Sequence, residues 1–412
     1  MKILISGAGI AGPCLAYWLR RFGFQPTIIE RAPAPRTGGY VIDFWGAGFD
    51  VADRMGLVPE LISSGYKVRE VRAVDRTGDR TSGFDVSVLD RVTRGRYTSL
   101  PRSELAAAIY RALGDRVETL FGDTITELHD TGREVRVRFE HAPPRSFDLV
   151  VGADGLHSRV RALAFGDQAR FERFLGIKVA ELETTGYRPR DELTYVIHRD
   201  IGKQVGRFSM RDDRTMFLFV FADAAPAIPG GIAEQRALLR TQFAGSGWEV
   251  SNILDILDRT DDLYMDRVSQ IRMNRWTRGR VALVGDAAYC VSLLAGQGSA
   301  LAMVGAYILA GELARANGNH ELAFARYQDR LRSFIPIKQR GALRFASFFA
   351  PRSRLGIFTG NQIMKLMALP FVTELAIGRE LRDSIELPAY ATPGVIRAEH
   401  AATAPTDGAT LR

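Results

Sequence analysis

The segment Lys2-Ile3-Leu4-Ile5-Ser6-Gly7-Ala8-Gly9-Ile10-Ala11-Gly12 constrains this chain more than any other. An apolar run reads as a buried strand, and here it enters a Gly-x-Gly-x-x-Gly turn directly. Pro13 to Arg21 follows with apolar positions at helical spacing, and Gly23 stops that helix. Pro26-Thr27-Ile28-Ile29-Glu30-Arg31 is a second buried strand that ends in an acid. The glycines have separate tasks. Gly7 permits the tight turn, Gly9 lets a pyrophosphate approach the backbone, and Gly12 lets helix and strand pack closely. The helix start, with Ile10 and Ala11, presents N–H groups and a positive dipole end to phosphates. Glu30, 18 residues after Gly12, can accept hydrogen bonds from both ribose hydroxyls. An acid there disfavours a 2′-phosphate, so the expected dinucleotide is FAD or NAD rather than NADP.

Two later segments bear on that choice. One is Asp148-Leu149-Val150-Val151-Gly152-Ala153-Asp154-Gly155-Leu156-His157-Ser158-Arg159-Val160-Arg161. The other is Gly279 to Ala288, containing Val284-Gly285-Asp286, followed by Ala295-Gly296-Gln297-Gly298-Ser299-Ala300. Both place an acid just past a buried strand. Asp286 there can hydrogen-bond a polyol, and Gly296 to Ala300 at a helix start can aim N–H groups at an electron-rich ring edge. A flavin needs such donors, which stabilise its anionic reduced form.

These three segments, in this order, resemble the class A FAD-dependent monooxygenases. These are the para-hydroxybenzoate hydroxylase-like enzymes, a group that includes tetracycline-modifying and polyketide hydroxylases. The resemblance runs from Met1 to about residue 385. It implies an α/β fold: a Rossmann-type FAD-binding domain, an inserted mixed or antiparallel β-sheet substrate domain, and a helical C-terminal region. It implies that Gly7, Gly9, Gly12, Glu30 and Arg31 hold the ADP half of FAD, with Ile10, Ala11 and Ile125 among the cofactor contacts. Arg102, in Leu100-Pro101-Arg102-Ser103-Glu104-Leu105, takes the place of the family arginine that contacts the flavin side. Arg36 and Asp43 flank a loop expected beside the isoalloxazine. Asp154 belongs to the motif that serves FAD and, indirectly, the nicotinamide; Gly285 and Asp286 serve the ribitol; Gly296, Gly298, Ser299 and Ala300 face the pyrimidine edge. The sequence departs from the family at Tyr289, often His, at Ser292-Leu293-Leu294, where Pro is usual, and at Ala300 and Gly305.

The resemblance further implies chemistry in which NADPH or NADH visits transiently to reduce FAD. O₂ then forms a flavin C4a-hydroperoxide that transfers one oxygen atom to an aromatic or polycyclic small molecule. The flavin itself is the reacting group, and no metal is called for. A dehydrogenase or reductase on the same scaffold, and a non-catalytic FAD-loaded binding protein, stay open as alternatives.

Composition narrows the partners. The formal net charge is +8, and only six of the 55 basic residues are lysine. Arginine's planar fork suits phosphate and carboxylate recognition. No run of five like charges occurs, which argues against a nucleic-acid face. Two cysteines, Cys14 and Cys290, are too few for a disulfide framework or a zinc site, and no signal peptide precedes the first strand, so a cytoplasmic monomer or homodimer is expected. The 25 uncharged residues from Ala287 to Gly311 are long enough to span a bilayer, yet Gly296-Gln297-Gly298 interrupts them. A loop and a buried helix, without integral membrane association, is the expectation.

The chain divides into an FAD-binding domain (1–70, 100–170 and 276–385 with the C-terminal helices), a substrate domain (71–99 and 171–275) and a flexible tail (386–412). Helices are expected over Ala52 to Leu61, Arg102 to Leu113, Ala233 to Phe243 and Asn252 to Leu257, and strands over Val117 to His129 and Gln204 to Met210. In that last strand, alternation puts Gln204, Phe208 and Met210 on one face and Arg207 on the other. Gln204 and Arg207 are the candidates for orienting a phenolate or carbonyl, while His198 reads as structural. Leu355 to Leu369 is apolar and helix-like with Lys365 its one charge. Packing across the two domains is expected of it ahead of a membrane surface.

Overall fold

The computed structural model describes residues 1–35, 40–260, 263–367, 369, 372 and 385–391, with the side chains of 344–347 excepted. The opening strand Lys2–Ser6 lies inside a six-stranded sheet. The strand order is Thr277–Arg278, Val281–Leu283, Leu149–Gly152, Lys2–Ser6, Gln25–Glu30, Glu118–Phe121. All neighbours are parallel except the first pair. Ile3, Leu4, Ile5 and Leu149, Val150, Val151 are wholly buried, as a parallel sheet covered on both faces requires.

The uncharged stretch after Asp286 resolves into the short helix Asp286–Tyr289, a turn at Leu293–Ala295 and the helix Gly298–Arg315. That last helix is buried without a break from Leu301 to Leu313. It packs on helices Ala11–Arg21 and Ala47–Arg54, and a Cβ on Gly48 would come 2.4 Å from the Ala300 Cα. No described helix is long and apolar enough to cross a membrane.

A second, seven-stranded sheet runs Leu263–Ile271, Glu172–Thr185, Arg214–Ala222, Lys203–Ser209, Thr194–Asp200, Glu70–Val74, Arg80–Asp85. Its strands come from two separated stretches of chain. Thr194–Asp200 and Glu70–Val74 are its one parallel pair; the rest is antiparallel. Strand Glu172–Thr185 escapes a sequence reading because buried Lys178 and Glu181 and a bulge between Phe174 and Lys178 spoil its alternation.

The two faces of this sheet do different work. On the outer face Val205, Phe217, Phe219 and Phe221 pack beneath helices Ile232–Phe243 and Val250–Leu257. On the inner face Phe208 and Met216 meet Tyr66, while Val179 and Val220 meet Leu294. Arg207 belongs to the outer face. Its guanidinium donates to both oxygens of Glu249 at 2.9 and 2.7 Å, to the Pro189 carbonyl at 2.7 Å and to Asp191.

Several expected boundaries shift for identifiable reasons. The helix expected over 52–61 is two, Ala47–Arg54 and Val58–Ser64, because Gly56 turns left-handed between them and Pro59 opens the second. The strand expected over 117–129 splits at Gly122 into Glu118–Phe121 and Ile125–Asp130. Its second half joins Val135–Phe139 and Arg145–Phe147 in a separate sheet. The Asp123 carboxylate fixes that corner, accepting from the N–H groups of Thr124, Glu140, His141 and Ala142.

The tail expected from residue 386 is held over its first described residues. Arg54 donates to the carbonyls of Leu387 and Pro388, Tyr307 donates to the latter at 2.6 Å, and the Tyr390 hydroxyl donates to Glu312 at 2.7 Å. Residues 392–412 lie outside the described set. Helix Arg354–Leu366, from the C-terminal stretch, rests on edge strand Arg80–Asp85 of the seven-stranded sheet through Asn361 and Met364, sets Gly360 against Arg199 and Phe348, and leaves its opposite face open.

Two buried charge clusters set stability expectations. Burial pushes the Glu172 carboxyl up, but hydrogen bonds from Arg267, Ser269 and Gln168 outweigh it and hold it at about 2. A depressed carboxylate stabilises the fold above its unfolded value and loses that contribution as pH falls through its folded value. Glu172→Gln should therefore cost roughly 2 kcal/mol at neutral pH, a difference from wild type that closes between pH 4.5 and about 2 in urea titrations. Arg207→Leu strips Glu249 and Asp191 of a buried partner and should cost roughly 3–5 kcal/mol, measured as a lower denaturation midpoint.

Candidate functional site

The first glycine turn is built as a backbone cradle. Gly7 has φ +109°, and a Cβ there would fall 2.5 Å from the Ala153 carbonyl oxygen. Gly12 passes so close beneath that a Cβ would overlap the Gly7 carbonyl oxygen. Gly9 differs: the one atom a Cβ would meet within 4 Å is the Arg102 guanidinium, at 3.6 Å. The middle glycine thus borders open space walled by a cation, which is what an approaching pyrophosphate needs. Helix Ala11–Arg21 begins with no side-chain cap and no acid in its first turn. Its first N–H groups are therefore left for a ligand. Glu30 accepts from the N–H groups of Ala8 and Ala32, both at 2.8 Å, which aims its carboxylate at the mouth of the turn beside Arg31.

Across that space stand Asp286 and Gly298. A Cβ on Gly298 would meet the Asp286 carboxylate at 3.6 Å and nothing else but its second oxygen at 3.8 Å. Burial pushes the Asp286 carboxyl up, and Arg102 draws it back. Gly285 precedes it at φ +66°, the cap of the short helix that carries Asp286. Helix Gly298–Arg315 also starts without a side-chain cap or an acid, so its N–H groups at Gly298, Ser299 and Ala300 are free to donate. Asp43 and Trp45 complete this side: with Gly296, Gln297, Ala300 and Leu301 they line one small cavity. The Tyr97 and Ser99 hydroxyls each donate to Asp43 at 2.6 Å. Gly9, Arg102, Asp286 and Gly298 thus converge from three separate stretches of chain.

Other expected contacts have different neighbours. Asp154 is engaged in structure. Ser158 donates to one of its oxygens, and the N–H groups of Arg159 and Val160 donate to the other at 2.8 and 3.1 Å. With the cap Ser158 it holds the first N–H groups of helix Arg159–Phe165, and burial raises its carboxyl. Ile125 is a buried strand start whose carbonyl accepts from Arg159 at 3.4 Å. Arg36 lies outside the described residues. Arg207, on the outer face with both terminal guanidinium nitrogens engaged, does not reach this cleft.

Gln204 is on the inner face and 1% exposed, and neither of its amide atoms has a hydrogen-bond partner. An unpaired buried amide costs on the order of 1–3 kcal/mol. Its cross-strand neighbour Arg199 reaches Asn361 at 2.6 Å. Tyr40 and Tyr264 add hydroxyls near Arg102. Burial raises both, so they are donors at neutral pH.

Three features escaped the sequence. Arg161, wholly buried, donates to the carbonyls of Leu156 at 2.6 Å and Ala287 at 2.9 Å, locking the second motif to the third. Ser292 is buried at φ +129° with its hydroxyl unpartnered, a strained residue beside Leu293 and Leu294. Tyr289 and Gly305, separate departures in the sequence, are one exchange of volume. A Cβ on Gly305 would overlap the Tyr289 hydroxyl, which lies 3.3 Å from that of Tyr327.

Comparisons with known proteins give the family. Residues 1–322 match the FAD binding domain family. An uncharacterised protein of Mycobacterium tuberculosis (strain ATCC 25618 / H37Rv) is 40% identical over 345 residues, 82% of this chain and 91% of its own. A flavin-dependent monooxygenase of Legionella longbeachae is 34% identical over 408 residues, covering 95% of this chain and 98% of its own. The crystal structure of the tetracycline destructase Tet(51) superposes with a TM-score of 0.80 at 33% identity over 94% of this chain and 99% of its own. With the uncapped helix starts and the open glycine cradle in place, the chain belongs to the FAD-dependent monooxygenases of class A.

Proposed function

We propose that this flavin-dependent monooxygenase consumes NADPH or NADH to insert one atom of O₂ into an aromatic or polycyclic small molecule. The observation that carries the reading is the convergence of Gly9, Arg102, Asp286 and Gly298 beside Tyr40, which packs against the cluster of Phe208 and Met216 on the inner face of the seven-stranded sheet. FAD bound there supplies the redox chemistry, accepting a hydride and activating oxygen. The residues of the chain divide the remaining work. Gly9 and the N–H groups of helix Ala11–Arg21 receive the pyrophosphate, Glu30 and Arg31 the adenosine end, Asp286 the ribitol, and the start of helix Gly298–Arg315 the pyrimidine edge. Arg102 balances negative charge between them. Asp43 and the neighbouring loop border the ring.

The six-stranded sheet with its helices forms the cofactor half, and the seven-stranded sheet, from two chain stretches, forms the substrate-facing half. Phe208, Met216 and Leu294 offer an apolar, water-excluding surface, and Gln204 offers both an amide donor and a carbonyl acceptor. Such a wall fits a flat, largely apolar molecule carrying a carbonyl or phenol. The likeness to Tet(51) supports a polycyclic substrate. Two free, buried thiols, Cys14 and Cys290, both pushed up by burial, accord with a cytoplasmic enzyme.

Purified protein should carry oxidised flavin that NADPH or NADH bleaches faster in the presence of one member of a panel of phenols and polyketides. The product should then contain one atom from ¹⁸O₂. Bleaching without oxygen incorporation would identify a dehydrogenase, and a flavin that never bleaches would identify a binding protein. Gly9→Val and Asp286→Ala should each weaken FAD retention by at least about ten-fold, read by gel filtration and absorbance. Gln204→Leu should retain FAD fully and raise KM about ten-fold with little change in kcat.

A further inference from the structure

We propose that helix Arg354–Leu366 is a peripheral docking surface for an anionic membrane. The helix is pinned from beneath: Arg199 and Ser82 both donate to Asn361, at 2.6 and 3.1 Å, and Met364 is wholly buried. Its far side is therefore held in one orientation. That side is apolar and open, with Leu355 70%, Phe358 59%, Ile363 53% and Leu366 49% exposed. Side chains of this type clustered on one face of a fixed helix demand a partner. The patch extends to a second element, for the N–H of Gly202 donates to the Pro351 carbonyl at 2.7 Å and seats the exposed hairpin tip Ile201 beside the start of the helix.

Charge selects the partner. From Arg352 to Lys365 the sequence has three basic residues (Arg352, Arg354, Lys365), all exposed, and no Asp or Glu. Arg354 and Lys365, both exposed, are eleven residues apart, close to three helical turns, and so share one flank, next to Phe358. An apolar face edged by cations is the pattern of a helix lying in a membrane interface. A second copy of the chain suits this surface poorly. Two-fold pairing would set the same basic flanks against each other with no acid among them to compensate. An anionic headgroup layer accepts the cations, and the acyl boundary accepts the leucines and the phenylalanine. A membrane-docked enzyme would take lipophilic substrates from the bilayer, but the surface stands independently of which molecule is oxidised.

The test is co-sedimentation of the full-length, FAD-loaded protein with vesicles of phosphatidylcholine alone and with phosphatidylglycerol at roughly 2:1. The protein should pellet with the anionic vesicles and stay in the supernatant with the neutral ones. Arg354→Gln with Lys365→Gln should lower partitioning about 25-fold, near five-fold for each charge removed. Leu355→Ser, Phe358→Ser and Leu366→Ser together should abolish it while leaving the thermal midpoint and flavin content unchanged. Wild type that remains in the supernatant with anionic vesicles would overturn the proposal, as would a triple-serine variant that pellets like wild type. So would a triple-serine variant that turns a dimer into a monomer by light scattering while wild type ignores vesicles, which would assign the face to a second copy.

Discussion

Everything in the cofactor half depends on the contact between Gly12 and the Gly7 carbonyl. A helix can press this closely onto the end of a strand only where the Cβ is missing. The consequence is electrostatic as well as steric. The start of helix Ala11–Arg21 is brought to the edge of the parallel sheet with its first N–H groups uncapped, beside Gly9, whose backbone borders open space. The same device recurs at helix Gly298–Arg315, which also begins without cap or acid. Two positive helix ends then face one space, and Arg102 and Asp286 stand between them to tune its charge.

Holding two helix ends and two charges in register across distant stretches of chain needs rigid connections. Arg161 supplies one. Its wholly buried guanidinium bonds carbonyls on both sides of the joint between the 154–161 and 285–288 segments. Burial lowers the pKa of such a guanidinium, but hydrogen-bonded carbonyls keep its placement tolerable. The Tyr289–Gly305 exchange is a second connection. A large side chain on one element fills the space left by a missing side chain on the other, so the two departures from family pattern compensate each other in volume.

Much of this was legible without coordinates. Strand, glycine turn, helix, second strand and terminal acid follow from local pattern at residues 2–30, since each element is set by short-range periodicity and by glycine sterics. Helix Arg102–Leu113 and the alternation that separates Gln204 from Arg207 are equally local. Reading failed where tertiary context overrode the pattern. Strand Glu172–Thr185 is interrupted by buried charges that are paired elsewhere, as Lys178 is with Asp223 at 2.8 Å. Arg207 looked available because an arginine in a strand carries no mark of its partners, and Asp191 and Glu249 reach it only through folding. Residues 386–391 looked like tail because their composition is that of a tail, yet Arg54 and Tyr307 hold them.

By itself, then, the sequence determined the cofactor class and the residues of the glycine cradle, because nucleotide recognition here is backbone geometry and a helix end, both encoded within a few residues. Only the tertiary structure decided which side chains face the substrate, which are spent on structure, and which surface of helix Arg354–Leu366 is open. Those are questions of pairing and exposure between segments far apart in the chain. An acid such as Asp154 and an amide such as Gln204 look alike as isolated letters. Only folding engages both oxygens of the one and leaves the other buried with nothing to bond.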